Sequence, residues 1–231
     1  MDLNFTIKDI QSDKIDSLKL QCCNCTYWLE YGKASLFDDI NMSNSLWQLI
    51  RSKIFEVKNI ASKKKFINFL IANGATVKAV FSKKNCIGVL IAGKYYMFPR
   101  LKYFNFYPPD PESAFLSCLF VLPEYRNLGI GKKLLLSFEK DCIKNRISSI
   151  ETVCKRLDDE TDIDSYANSP VIPVKFLIKN GFYIKKNDPL YPLLRLDLSA
   201  IVTEKKLTGL ELMLKNIKLE KAVKIPINKS D

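Results

Sequence analysis

The chain is 231 residues long with 47% apolar and 26% charged residues, a composition that supports one sizeable core plus a tail and excludes disorder along the whole length. Its 36 Lys+Arg against 25 Asp+Glu give a formal charge of +11, a field that attracts anions such as nucleotides, nucleic acids or phosphorylated cofactors without choosing among them. Histidine is absent, which removes every mechanism built on an imidazole base or a histidine-activated nucleophile. Residues 3–10 (LNFTIKDI) alternate apolar and polar side chains and predict a half-buried first strand, with a short helix over 12–20 after it. From Ser45 to Asn73 apolar residues recur at three- and four-residue spacing, interrupted by Lys63-Lys64-Lys65, which predicts one long helix or two shorter ones stopped by Gly74. Thr76–Phe81 and Cys86–Ala92 read as a hairpin across Ser82–Asn85, and the proline-rich stretch 97–112 as an irregular connection.

Ser113–Val121 (SAFLSCLFV) is a nearly continuous apolar run, the pattern of a central strand covered on both faces. Pro123 ends it, and Gly131–Asn145 has the period of an amphipathic helix. Further on come a strand at Ile150–Cys154, a polar loop at 155–169, a helix at Val174–Asn180 stopped by Gly181, and strands at Phe182–Ile184 and Leu190–Leu198. A helix over 205–220 and a polar end follow.

The seven cysteines are odd in number and scattered, which fits a reducing compartment better than a disulfide framework. Cys22-x-x-Cys25 offers half of a zinc site and no second half, so no metal is expected. No run approaches the ~20 apolar residues of a membrane span. The opening residues, with Asp2 and Lys8, lack a secretory pattern, so a soluble, cytoplasmic protein is expected. The lysine runs read as solvated faces.

The segment Val121 to Leu134 (VLPEYRNLGIGKKL), between a buried strand and an amphipathic helix, carries the chemistry. Glycines in a strand-to-helix turn let backbone N–H groups converge on an anion beside the positive end of the helix dipole. A Walker loop would need Gly at 126 and Ser or Thr at 133, where Arg126 and Lys133 stand. A dinucleotide fingerprint would need a small residue at 134, which is Leu.

What the segment does match is Arg-x-x-Gly-x-Gly, met by Arg126, Gly129 and Gly131. This resembles the phosphate loop of the GNAT family of acetyl-CoA-dependent N-acetyltransferases. Phe176-Leu177-Ile178-Lys179-Asn180-Gly181-Phe182 resembles the family's second signature, a helix ending in Gly-Phe before two closing strands. The resemblance spans roughly residues 3–198 and implies an α/β fold: a mixed, mostly antiparallel central sheet flanked by helices, with a splayed strand pair holding acyl-CoA. Residues 1–200 would form that domain, with 201–231 a helical extension and basic tail. The resemblance further implies that Arg126, Asn127 and the backbone amides of Leu128, Gly129, Ile130, Gly131 and Lys132 hold the CoA pyrophosphate. Main-chain groups of Leu119, Phe120 and Val121 would pair with the pantetheine arm, one amide donating to the thioester oxygen.

Two positions depart from the family pattern. Leu177 stands where a tyrosine often serves as acid for the departing thiolate, and Phe115 and Ser117 stand where many members carry a glutamate or histidine on the central strand. Alternation puts Phe115, Ser117, Leu119 and Val121 on one face, which makes Ser117 a candidate to hold a relay water, against the plainer reading of a hydroxyl bonded to its own strand. Glu30, in the aromatic segment Cys22–Lys33 that the family layout places near the acceptor, is the candidate base acting through water. Tyr27 and Trp28 read as core or pocket wall, and Cys118 as a small buried residue. Tyr183 and Tyr191 are the reserve acids. The expected partners are acetyl-CoA and an amine, as a monomer or homodimer. The alternatives are an acyl-CoA-binding module without turnover, or an acetyltransferase directed to nucleic-acid-associated substrates, for which Lys94-Tyr95-Tyr96 and Arg100–Tyr103 give a faint stacking pattern.

Overall fold

The computed structural model describes residues 4–18, 27–29, 63–156 and 171–198. The strands, in chain order, are β1 (Thr6–Asp9), β2 (Thr76–Ser82), β3 (Asn85–Gly93), β4 (Ala114–Val121), β5 (Ser149–Lys155), β6 (Ile172–Pro173), β7 (Tyr183–Lys186) and β8 (Leu193–Asp197), and the helices are α1 (Lys63–Ala72), α2 (Ile130–Lys144) and α3 (Val174–Ile178). The sheet order is β1-β2-β3-β4-β5-β8-β7, with β6 pairing on β5. All neighbours are antiparallel except β4 with β5 and β5 with β6. This is the expected mixed, mostly antiparallel sheet with flanking helices, and it does not close.

β4 is the middle strand, which is why its sequence is apolar throughout: both faces are covered. On one face lie Ile15, Trp28, Phe66, Leu70 and Phe98, brought by the N-terminal turns, α1 and the turns before β4. On the other, α2 buries Ile130, Leu134, Leu135, Phe138 and Cys142, the stripe its 3.6-residue period predicts. Lys78, on β2 and almost fully buried, donates to Asp9 at 2.6 Å and also reaches Asp141 of α2. Burial pulls its pKa down, but the hydrogen bonds to Asp141 and Asp9 outweigh that and hold it above its ordinary value. The ammonium thus ties α2 and β1 to the sheet.

Lys63–Lys65 lies within α1, with Phe66, Ile67 and Leu70 buried beyond it. Two expectations need correction. The stretch 97–112 is not irregular throughout, since Tyr95–Met97 and Pro99–Tyr103 are 3-10 turns. These turns are held by the burial of Met97, Phe98 and Leu101. The segment after residue 10 is a 3-10 turn, Ser12–Ser17. The part of the expected Ser45–Asn73 helical stretch before Lys63, the helix at 205–220, the expected 155–169 loop beyond Arg156 and the boundary at residue 200 lie outside the described residues, while Lys155 still belongs to β5. Among the described residues, no helix is long and apolar enough to cross a membrane.

Candidate active site

The site begins with a slip in β4. Ile91 of β3 pairs with Cys118 and Ala92 with Leu116, so Ser117 is one residue more than the partner strand can match, a β-bulge. The slip changes which side chains share a face. Ala114, Leu116, Leu119 and Val121 face the α2 side, while Phe115, Cys118 and Phe120 face the α1 side. The expected single row of Phe115, Ser117, Leu119 and Val121 is therefore not formed, because strict alternation assumes a ladder without an inserted residue. The Ser117 hydroxyl is buried and donates to the Ile91 carbonyl at 3.0 Å. The Ser117 carbonyl, turned out of the ladder, accepts from the Trp28 indole N–H at 2.6 Å.

At the same point β4 parts from β5. Their parallel ladder has only two pairs, Ala114 with Ile150 and Phe115 with Glu151. Thr152 then spends its hydroxyl on the Leu116 carbonyl at 2.7 Å rather than continuing a backbone ladder. Farther along, β5 pairs with the two-residue β6, through Cys154 with Ile172 and Lys155 with Pro173. Among the described residues, 116–121 of β4 thus have a partner strand on the β3 side only. The two strands form a wedge with its vertex at Phe115 and Glu151, and one wall is an unpaired strand edge that can accept an extended ligand by β-augmentation.

The wedge's open end meets the glycine loop. Asn127 (φ 61°) and Gly129 (φ 76°) are left-handed, a conformation asparagine tolerates and glycine adopts freely. A Cβ at Gly129 would meet nothing within 4 Å, so it is the backbone angle and not space that calls for glycine there. The first intrahelical bond of α2 runs from the Lys133 N–H to the Gly129 carbonyl at 3.0 Å. The N–H groups of Ile130, Gly131 and Lys132 therefore precede the helical ladder and, with the dipole, make an anion site. Arg126 folds back, its Nε donating to the Val121 carbonyl at 3.1 Å, which fastens the loop to the end of β4. Opposite Gly131 stand Leu119 of β4 and Phe176 of α3, each 3.4 Å from where a Cβ would be.

Leu177 is fully buried in the core on the α2 side, so its position offers no proton donor. Among the reserve tyrosines, Tyr183 is exposed and donates to Asp197 at 2.7 Å. That hydrogen bond is the main cause of its raised pKa, with burial and the Asp197 charge adding to it. Tyr191 packs edge-on against Phe104 on the α1 side, ring centroids 5.8 Å apart. Glu30, Cys22, Cys23 and Cys25 lie outside the described residues. Cys142 and Cys154 are buried, and burial pushes the Cys142 thiol up to about 12, so neither is a reactive thiol. Among the described residues no group of three or more Cys, Asp or Glu is placed to hold a metal ion. In the faint stacking pattern, Tyr95 is buried, Lys94 donates to the Pro111 carbonyl at 2.9 Å, and Arg100 lies over the Tyr27 ring at 3.9 Å. Of the three tyrosines in the pattern, Tyr95 is thus core, Tyr96 is half-buried and Tyr103 is exposed.

A charged row beside the vertex was not anticipated. Glu151 pairs across the sheet with Arg195, and Arg195 with Tyr183. The fully buried Glu151 carboxylate accepts from Arg195 at 2.8 Å, Lys185 at 2.5 Å and the Asp110 backbone N–H at 3.0 Å. Arg195 also donates to Asp110 and Asp197, each at 2.7 Å. These bonds from Arg195 hold both aspartates below their ordinary pKa, and the Glu112 backbone N–H assists at Asp110. With three donors on it and no exposed face, the Glu151 carboxylate braces the vertex and does not reach a substrate. The signal was present, since a lone acid in SIETVCK and a lone base in LLRLD each need a partner once buried.

The Acetyltransferase (GNAT) family model matches residues 43–167, just over half of the chain. No curated protein matches the chain. Among solved structures it is similar to the PaiA N-acetyltransferase of Thermoplasma acidophilum in complex with coenzyme A, at 18% identity over 84% of this chain and 99% of that one, TM-score 0.48. It is also similar to an acetyltransferase of the GNAT family from Staphylococcus aureus, at 18% identity over 84% and 99%, TM-score 0.45. An acetyltransferase from Thermus thermophilus is similar at 14% identity over 84% and 97%, TM-score 0.47.

Proposed function

The chain belongs to the GNAT acetyltransferase family, and from that premise we propose that it moves an acetyl group directly from acetyl-CoA to an amine, with no covalent enzyme intermediate. Acyl-CoA-dependent acetyl transfer follows from the family; the direct route and the residues are our own reading. The observation that carries it is the continuity of two anion- and amide-binding features. The unpaired edge of β4, residues 116–121, runs into the glycine loop at the N-terminus of α2, where nothing stands within 4 Å of a Cβ at Gly129 and Gly131 faces Leu119 of β4. Backbone N–H groups of Leu128 to Lys132 would hold the pyrophosphate, with Arg126 and Asn127 shaping the loop. Main-chain groups of Leu119, Phe120 and Val121 would pair with the pantetheine arm. When bound, acetyl-CoA supplies an activated thioester carbonyl beside the bulge. An N–H of the unpaired edge near Ser117 would donate to the oxygen on which charge develops.

The acceptor must lose a proton before it attacks, and Glu30 acting through water is the proposed base. With Leu177 buried, the leaving sulfur takes its proton from solvent. A thiol with a pKa near the roughly 8.5 of cysteine departs largely as thiolate at alkaline pH. The turnover rate is expected to rise with pH and then level, and Glu30→Gln to lower kcat more than it raises the acetyl-CoA KM. A bell-shaped profile with an alkaline limb above the ordinary tyrosine range of about 10 would instead assign the acid to Tyr183, whose pKa is raised.

Isothermal titration and thermal unfolding with CoA and acetyl-CoA test the proposal. Both ligands should bind and raise the melting temperature in step with the logarithm of their concentration over Kd, while NAD and ATP do less. No heat and no shift at millimolar acetyl-CoA would overturn the assignment. The second reading, an acyl-CoA-binding module without turnover, draws on one observation, the buried Leu177 in the place of the usual acid. It predicts the same binding with no thiol release against pooled amines.

A further inference from the structure

We propose that Trp28 closes the acyl end of the wedge and limits the donor to short acyl groups. The inference rests on the acyl-CoA reading of the β4 edge and extends it to donor chain length. With the phosphate end at the α2 N-terminus, the arm lies along β4 from Val121 back towards Ser117, about 13 Å of strand at roughly 3.3 Å per residue. There the edge ends, because β5 rejoins at Phe115 and Glu151. Trp28 stands at that vertex, its indole N–H on the carbonyl of Ser117 at 2.6 Å.

The ring cannot yield easily. It is 2% exposed, and its centroid lies 5.3 Å from Phe115, 6.2 Å from Phe98 and 6.4 Å from Phe104, so aromatic rings back it. Displacing it would also strip the Ser117 carbonyl of its buried donor, and a buried acceptor without a partner is costly. An acyl chain long enough to extend past Ser117 would have to displace this ring. The bond to Ser117 spans 89 residues of sequence, which is why the sequence, where the tryptophan reads as core or pocket wall, does not place it at the vertex.

The test titrates the full chain, and its Trp28→Leu and Trp28→Phe variants, with CoA and with acetyl-, butyryl- and hexanoyl-CoA. Thermal unfolding of each variant confirms a folded state, and Trp28→Phe keeps most of the ring if Trp28→Leu fails to fold. The wild type should bind acetyl-CoA at least about tenfold more tightly than butyryl-CoA, and the variants should narrow that gap to about threefold or less while binding CoA as before. Equal binding of acetyl- and butyryl-CoA by the wild type, or an undiminished gap in a folded variant, would overturn the role of Trp28 while leaving the acyl-CoA site standing. Failure of CoA itself to bind would overturn the site and, with it, the proposal.

Discussion

Arg195→Met is expected to destabilise the protein by about 3–5 kcal/mol at neutral pH, the cost of breaking a buried ion pair by removing one partner. The Glu151 carboxylate is fully inaccessible and Arg195 itself largely buried, so solvent cannot replace the guanidinium. Lys185 remains, but one ammonium cannot also serve Asp110 and Asp197, which Arg195 holds from two other sides. The pH dependence gives an independent check. Asp110 and Asp197 titrate below their ordinary value in the folded state, with the bonds from Arg195 as the first cause. A depressed carboxylate pKa contributes stability that is fully present above the unfolded value of about 3.9 and is lost as pH falls through the folded value. The methionine variant lacks that contribution, so urea unfolding should show its largest deficit at pH 7 and a smaller one at pH 3. A variant within about 1 kcal/mol of wild type at pH 7 would show that the row is not the brace of the vertex.

What the sequence conveys, and what it hides, divides along the range of the interactions. β4 is legible because a strand covered on both faces must be apolar at every position, and SAFLSCLFV is. The glycine loop is legible because Gly129 is needed for a local backbone angle, φ 76°, whatever surrounds it. The bulge at Ser117 is not, since it arises from the register of β3 against β4 and leaves no mark in the composition of either strand. The same holds for the charged row. Glu151 and Arg195 can each be seen as buried charges in want of a partner, but pairing them requires knowing that β8 returns beside β5. Leu177 shows the reverse case. Its identity told at once that the family's usual acid is absent, and its burial adds that nothing at that position can substitute.

Gly131→Glu is expected to weaken CoA binding by at least about a hundredfold, roughly 2.7 kcal/mol, while leaving the fold intact. Gly131 lies inside the first turn of α2. A Cβ there would lie 3.4 Å from the Leu119 and Phe176 side chains, ordinary van der Waals contact. A carboxylate in the first turn of a helix is itself stabilising by about 0.3–1 kcal/mol, so the melting temperature should hold or rise. Binding fails for the same reason that stability does not: the added carboxylate satisfies the N–H groups and dipole that the pyrophosphate would otherwise use, and repels the ligand's charge. Gly129→Glu is the less clean experiment, because a side chain at φ 76° adds about 1–2 kcal/mol of backbone strain and mixes loss of stability with loss of binding. Arg126→Ala separates loop support from the anion site. Its Nε holds the Val121 carbonyl, so its loss should cost less than the glutamate at 131. Unchanged affinity for CoA in a folded Gly131→Glu protein would move the pyrophosphate away from this helix and leave the wedge without its anchor.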